Sequence, residues 1–194
     1  MGFTREELEA VRGESVPDLV GDEVGLLFVG INPSLWTAAA QAHFAHPSNR
    51  FYKALHAAGV VDRVLDVSDG FDEGSEDALT GRGIAITNLV NRATARAAEL
   101  GDEELVEGAR TLGGKVAVWD PDAVAFVGLG AYRTAYDRPG ADVGRQDDHE
   151  IAGVQVWALP NPSGLNAHYR LDDLARWYRR AAEAAGVDLD PPRG

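Results

Sequence analysis

Two Asn-Pro-Ser triplets, Asn32-Pro33-Ser34 and Asn161-Pro162-Ser163, each lie at the end of a short apolar run, GLLFVG at 25–30 and VQVWALP at 154–160. Asn-Pro is ordinary turn chemistry, because proline pushes the residue before it out of the helical region. A carboxamide has one accepting oxygen and two donated hydrogens, and nothing to titrate. It can therefore hold a water or read the edge of a base, and it cannot abstract a proton.

Other chemistry-bearing stretches carry less. His43 and His46 in HFAHP stand three apart with no firm helix and no carboxylate beside them, so no metal site is expected. GLGAY at 128–132 lacks the third glycine and the downstream acid of a dinucleotide fingerprint and reads as a strand-to-helix turn. There is no G-x-S-x-G elbow and no P-loop. With no cysteine, thiolate nucleophiles, disulfides and cysteine-zinc sites are excluded. Neither a metal nor a cofactor is called for.

The asparagines need elements to hold them. GLLFVG, GIAITNLV (83–90), AVAFVG (123–128) and VQVWALP are short and apolar throughout, as strands buried on both faces are. Helical patterns separate them: one capped by Ser48 through RFYKALHAAG, one from Asp102 through VAVW, and one from Asp172 to about 185. Thr4 and Glu7 form a capping-box pattern for a short helix over 4–12. The acidic stretch 66–77 reads as a solvated loop, and 187–194 as a loose tail. Alternating strands and helices predict one α/β domain over 1–194, a three-layer α/β/α fold with a central four-stranded, mainly parallel sheet. Functional groups in such sheets gather beyond the carboxyl ends of the strands. Those ends are GINPSLW, TNLVNRAT, GLGAY and LPNPSGLNAHY.

Composition narrows the partners. At 194 residues, 45% hydrophobic and 25% charged, the chain fits one globular domain. A net charge of −13 argues against a protein that coats nucleic acid, while leaving room for a local cationic footprint. No window reaches the roughly 18–20 apolar residues of a membrane span. The acidic, amphipathic start does not read as a secretion signal, so a cytoplasmic monomer without membrane contact is expected.

Taken in order, VPDLVGDEVGLLFVGINPSLWTAAAQAHFAHPSNRFYKALHAAGV (16–60) and LPNPSGLNAHY (159–169) resemble the mismatch-specific uracil/thymine DNA glycosylase family, a branch of the uracil-DNA glycosylase superfamily. GIAITNLVNRAT and AVAFVGLGAYRTAY are similar to that family's second and third strand regions, so the likeness covers about 16–185. The resemblance implies a monofunctional enzyme of base excision repair, which flips uracil out of mismatched double-stranded DNA and hydrolyses its bond to the sugar. It makes Asn32 the catalytic residue that holds the attacking water. Ile31, Pro33, Thr37, His43, Phe44 and Asn161 would form the base pocket, with the Phe44 ring stacked on the base and amides near Ile31 and Phe44 facing its oxygens. Ser163, Gly164, Leu165 and Asn166 would enter the DNA, with Leu165 as the wedge.

The chain departs from the family pattern at Ser34, where glycine is common, and at Asn166-Ala167, where Ser-Arg is common. It departs again at Asn88 and Asn91, which replace a lysine and an aspartate. Thr37, β-branched near C5 of the base, implies uracil removal ahead of thymine. A second class of function stays open: a module that binds damaged or single-stranded DNA without cutting it. A third is an enzyme acting on free nucleosides, which would give Leu165 no purpose.

Overall fold

Four apolar runs form strands: β1 (Leu26–Gly30), β2 (Ile84–Asn88), β3 (Ala123–Val127) and β5 (Val154–Leu159). The computed structural model describes residues 2–166 and 168–191. The sheet order is β2-β1-β3-β5 with β4 (Gly144–Ile151) beyond β5, and the strands other than β4 run parallel. Alternate residues of β1 serve opposite layers. Leu26 and Phe28 pack with Phe51, Leu55 and Tyr178, while Leu27 and Val29 pack with Leu112, Val116 and Phe126. Phe28 lies 5.1 Å from Phe51 and 5.7 Å from Tyr178 between ring centroids. Burying a side chain of that size stabilises the fold by roughly 1.5–3 kcal/mol. This is the three-layer α/β/α arrangement that the periodicity predicts.

The sheet has five strands rather than four. β4 (Gly144–Ile151, GRQDDHEI) is an antiparallel edge strand, joined to β5 by Ala152-Gly153. Both turn residues have positive φ, 51° and 82°, the geometry of a tight hairpin turn. Asp147, Asp148 and Glu150 on this edge discourage pairing with another chain.

Three helices lie on the Phe28 side: α3 (Phe51–Ala57), α4 (Glu73–Thr80) and α7 (Leu171–Ala184). α5 (Asp102–Trp119) and α6 (Leu129–Ala135) cover the other. α1 (Arg5–Ala10) carries the expected Thr4–Glu7 capping box and packs on α2 (Leu35–Ala40).

Several boundaries differ from the sequence expectation. Ser48 does not cap α3; Arg50 holds that position, and Ser48 Oγ lies 2.8 Å from His46 Nδ1. Asp72 caps α4 inside the stretch read as a loop, accepting from the Ser75 N–H at 2.7 Å. The tail is pinned as far as Asp190, whose N–H donates to Gly59 at 2.8 Å, and Val187 is buried.

Candidate active site

β1 ends at Gly30, in register with Asn88 at the end of β2. Beyond the sheet the two chains stay zipped. Leu89 N–H donates to Gly30 O at 2.8 Å, Val90 N–H to Ile31 O at 3.0 Å, and Thr94 N–H to Pro33 O at 3.1 Å. This rigid exit holds Asn32. Its Nδ2 donates to Arg92 O at 2.9 Å, to Thr94 Oγ1 at 2.8 Å and to Pro33 O at 3.1 Å. Two of these partners are carbonyls, which only accept, and the Thr94 hydroxyl gives its own proton to Arg96 O at 2.8 Å. The amide can face them only through its nitrogen. Oδ1 accepts no hydrogen bond among the described residues and is left as a fixed acceptor.

Ser34 has a local duty. Its Oγ accepts from the Thr37 N–H at 3.1 Å and caps α2. That places Pro33, buried, between the strand end and the helix start. Arg92, whose carbonyl orients Asn32, is held by Glu104 through two bonds of 2.9 Å. The Arg92 hydrogen bonds, with the Gly101 N–H, hold the Glu104 carboxyl below the usual range.

Beside this exit stand Phe44, His43 and Asn88. Phe44 has φ of 55° and stacks on Phe51 at 4.1 Å between centroids, with 24° between the ring planes. A Cβ on residue 30 would lie 2.5 Å from Asn88 Oδ1 and 3.3 Å from Phe44 Cζ, so only glycine leaves these groups together. His43 is 1% exposed. Its Nε2 lies 2.9 Å from Pro17 O, which fixes the proton there, so Nδ1 accepts from Asn88 Nδ2 at 3.4 Å. Burial lowers the His43 pKa to about 4, against the Pro17 carbonyl, which raises it. His43 is therefore neutral at ordinary pH. Behind it, Lys115 Nζ donates to Asp18 at 2.7 Å and to Thr87 Oγ1 at 3.0 Å.

The other triplet closes the group. Asn161 Oδ1 accepts from the Ser163 N–H at 2.9 Å, a turn of the expected kind. Its Nδ2 and the Ile31 side chain both approach Gly128 at the end of β3. Leu165 follows, 95% exposed. The Asn166 side chain is turned inward, its Nδ2 donating to Asn161 O at 2.9 Å. Ala167, the position where the family pattern carries arginine, lies outside the described residues. His168 and Arg170 are exposed on the same segment.

The structure thus brings together Ile31, Asn32, Pro33, His43, Phe44 and Asn161, with the Ser163–Asn166 loop alongside. Thr37 is buried in the first turn of α2, its hydroxyl accepting from Ser34 Oγ at 3.0 Å. Asn91 is structural: its side chain accepts from the Val16 N–H at 3.0 Å and donates to Val16 O at 2.9 Å. Asn88 is the addition. The sequence marks it only as a departure from the family pattern, although an asparagine closing a buried strand is the same signal that picks out Asn32 and Asn161. Cavities flank the group. One of about 440 Å³ runs from Asn88 along α5 to Lys115, and one of about 250 Å³ runs from Phe44 past Tyr52 to Val67.

The family model of the uracil DNA glycosylase superfamily matches residues 17–185. The fold is similar to a solution NMR structure described as a "putative Uracil DNA glycosylase" from Methanosarcina acetivorans. The TM-score is 0.63 at 18% identity, over 89% of this chain and 98% of that one.

Proposed function

The chain belongs to the uracil DNA glycosylase superfamily, and on that premise we propose that it hydrolyses the bond between uracil and deoxyribose in mismatched duplex DNA. In this reading Asn32 Oδ1 accepts a hydrogen from a water and aims its oxygen at C1′ of the flipped nucleotide. The C1′–N1 bond breaks and its electron pair leaves with uracil. The water oxygen bonds C1′, its proton passes to solvent, and the products are an abasic site and the base.

Phe44 offers a ring for the base to stack on, worth about 1–3 kcal/mol. Asn88 is assigned the base edge. Its amide can accept from N3–H and donate to O4 of uracil, a pairing that cytosine, with an acceptor at N3, does not complete. Leu165 fills the gap left in the stack, as apolar wedges do. Flipping costs least at a mismatch, which favours such sites. No described carboxylate touches Asn32, so turnover is modest in this proposal, and uracil leaves ahead of thymine.

The observation that carries the proposal is the fixed amide of Asn32. Incubation with G·U and G·T duplexes, then alkali, tests it. The expected result is strand cleavage at uracil well above that at thymine, lost in Asn32→Ala with duplex binding retained. Binding without cleavage in the wild type would favour the non-catalytic module instead. Full activity in Asn32→Ala would remove the assigned role.

A further inference from the structure

Arg50 stands just before α3, yet its side chain caps nothing there. Its main-chain N–H donates to Pro162 O at 3.0 Å. The guanidinium reaches further along the same segment. Nη1 donates to Tyr169 O at 2.6 Å, and Nη2 donates to Ser163 O at 3.1 Å and to Asn166 O at 2.9 Å. Four carbonyls of one loop are drawn onto a single residue.

Carbonyls converging on one centre repel each other and give up water, so this conformation needs a donor inside it. A planar guanidinium with a rigid fork of N–H groups reaches several at once. A lysine ammonium, a compact donor on a flexible stem, does not match their spread. With its carbonyls drawn inward the loop leaves the Leu165 side chain outside. The opposite wall is close as well. A Cβ on Gly164 would lie 2.7 Å from Ser48 O and 2.9 Å from Ser48 Oγ, so the turn is held between Ser48 and the guanidinium.

We infer that Arg50 is a positioning residue that sets the Leu165 loop in the free protein, so that the leucine is presented before DNA is engaged. The purpose of that setting rests on the proposed base-flipping reaction; the setting itself rests on the four carbonyls. A loop ordered in advance does not have to be ordered on insertion, so the benefit falls on duplex substrates, where a stack must be refilled. Arg50 touches neither base nor water in this scheme and acts only through the loop.

Arg50→Met and Arg50→Lys test the inference by hydrogen exchange over 161–170 and by single-turnover uracil release from a G·U duplex and from a single strand. Amide exchange in the loop should rise about 10-fold or more in both variants, with peptides of β1 and β2 unchanged. Release from the duplex should fall about 10–100-fold and release from the single strand less than about 3-fold. Adding Leu165→Ala to Arg50→Met should cost little more, because both changes act on one step. Unchanged loop exchange would overturn the inference. So would an equal loss on both substrates, which a general weakening of the fold produces. Failure of both variants to fold would also overturn it, making Arg50 an element of the fold. If the wild type releases no uracil, the proposed function fails, and loop exchange still decides the role of Arg50.

Discussion

Replacing Asn32 by aspartate puts an oxygen where the structure surrounds a nitrogen with acceptors. The three bonds donated by Nδ2, at 2.8–3.1 Å, are lost. Pro33 O keeps the Thr94 N–H, and Thr94 Oγ1 keeps Arg96 O. Arg92 O loses its side-chain partner, and the new carboxylate faces two carbonyl dipoles. At about 1 kcal/mol per net hydrogen bond, plus that repulsion, the cost at neutral pH is about 2–4 kcal/mol. In a chain of this length that lowers Tm by about 5–15 °C. The penalty depends on pH with a definite sign. A carboxyl among acceptors is raised above the roughly 3.9 of an unfolded aspartate. Between the two values the folded state binds more protons, so the variant loses stability as pH rises through that window. The assay is a thermal melt of variant and wild type at matched pH from 4 to 8. The difference in Tm should be smaller near pH 4, where the single O–H of a protonated carboxyl restores one of the donated bonds, and complete by pH 8. Equal Tm at pH 8 would refute the assigned orientation, and with it the role of Oδ1 as the acceptor for water.

Two further outcomes follow from the same neighbourhood. His43, lowered to about pKa 4 by burial, binds fewer protons folded than unfolded. Its stabilising contribution is complete above about pH 6.5 and is lost as pH falls toward 4, about 3 kcal/mol in all. Urea unfolding from pH 7 to 4 should show this loss in the wild type and a flatter profile in His43→Gln; an imidazole that titrates near 6.5 by NMR would contradict it. Gly30→Ala forces a methyl to 2.5 Å from Asn88 Oδ1. A loss of about 1–3 kcal/mol and a fall of 10-fold or more in uracil release are expected, and wild-type values in both would mean that the strand ends are not packed this way.

The strands β1, β2, β3 and β5 were legible because burial on both faces writes itself as an unbroken apolar run. β4 was not, since an edge strand facing water needs no such run, and GRQDDHEI has only Ile151 to mark it. Short helices were hidden by their own caps. Ser34 reads as a departure from a family pattern, and its hydroxyl in fact starts α2. Asp72 reads as one acid among many, and it starts α4. Asn32, Asn161 and Leu165 could be picked because the triplet recurs at two strand ends and the ordered pair of motifs resembles a family; singly, each is ordinary turn or loop chemistry. Arg50 could not. Its four partners are main-chain carbonyls more than a hundred residues away along the chain, and a backbone acceptor leaves no trace in residue type.

In the proposed reaction an acidic chain must take up an anionic polymer, and the three strand-end asparagines suit that. With a net charge of −13, a catalytic carboxylate would add repulsion where phosphate must approach. Asn32, Asn88 and Asn161 add none, and the imidazole beside Asn88 is kept neutral by burial. What a carboxamide lacks in basicity it must recover through orientation. Each amide is accordingly tied: Asn32 to three acceptors, Asn88 to His43 Nδ1, Asn161 to the Ser163 N–H. Under the proposed function fixed direction stands in for charge, and a substitution that restores charge without the ties loses the direction first.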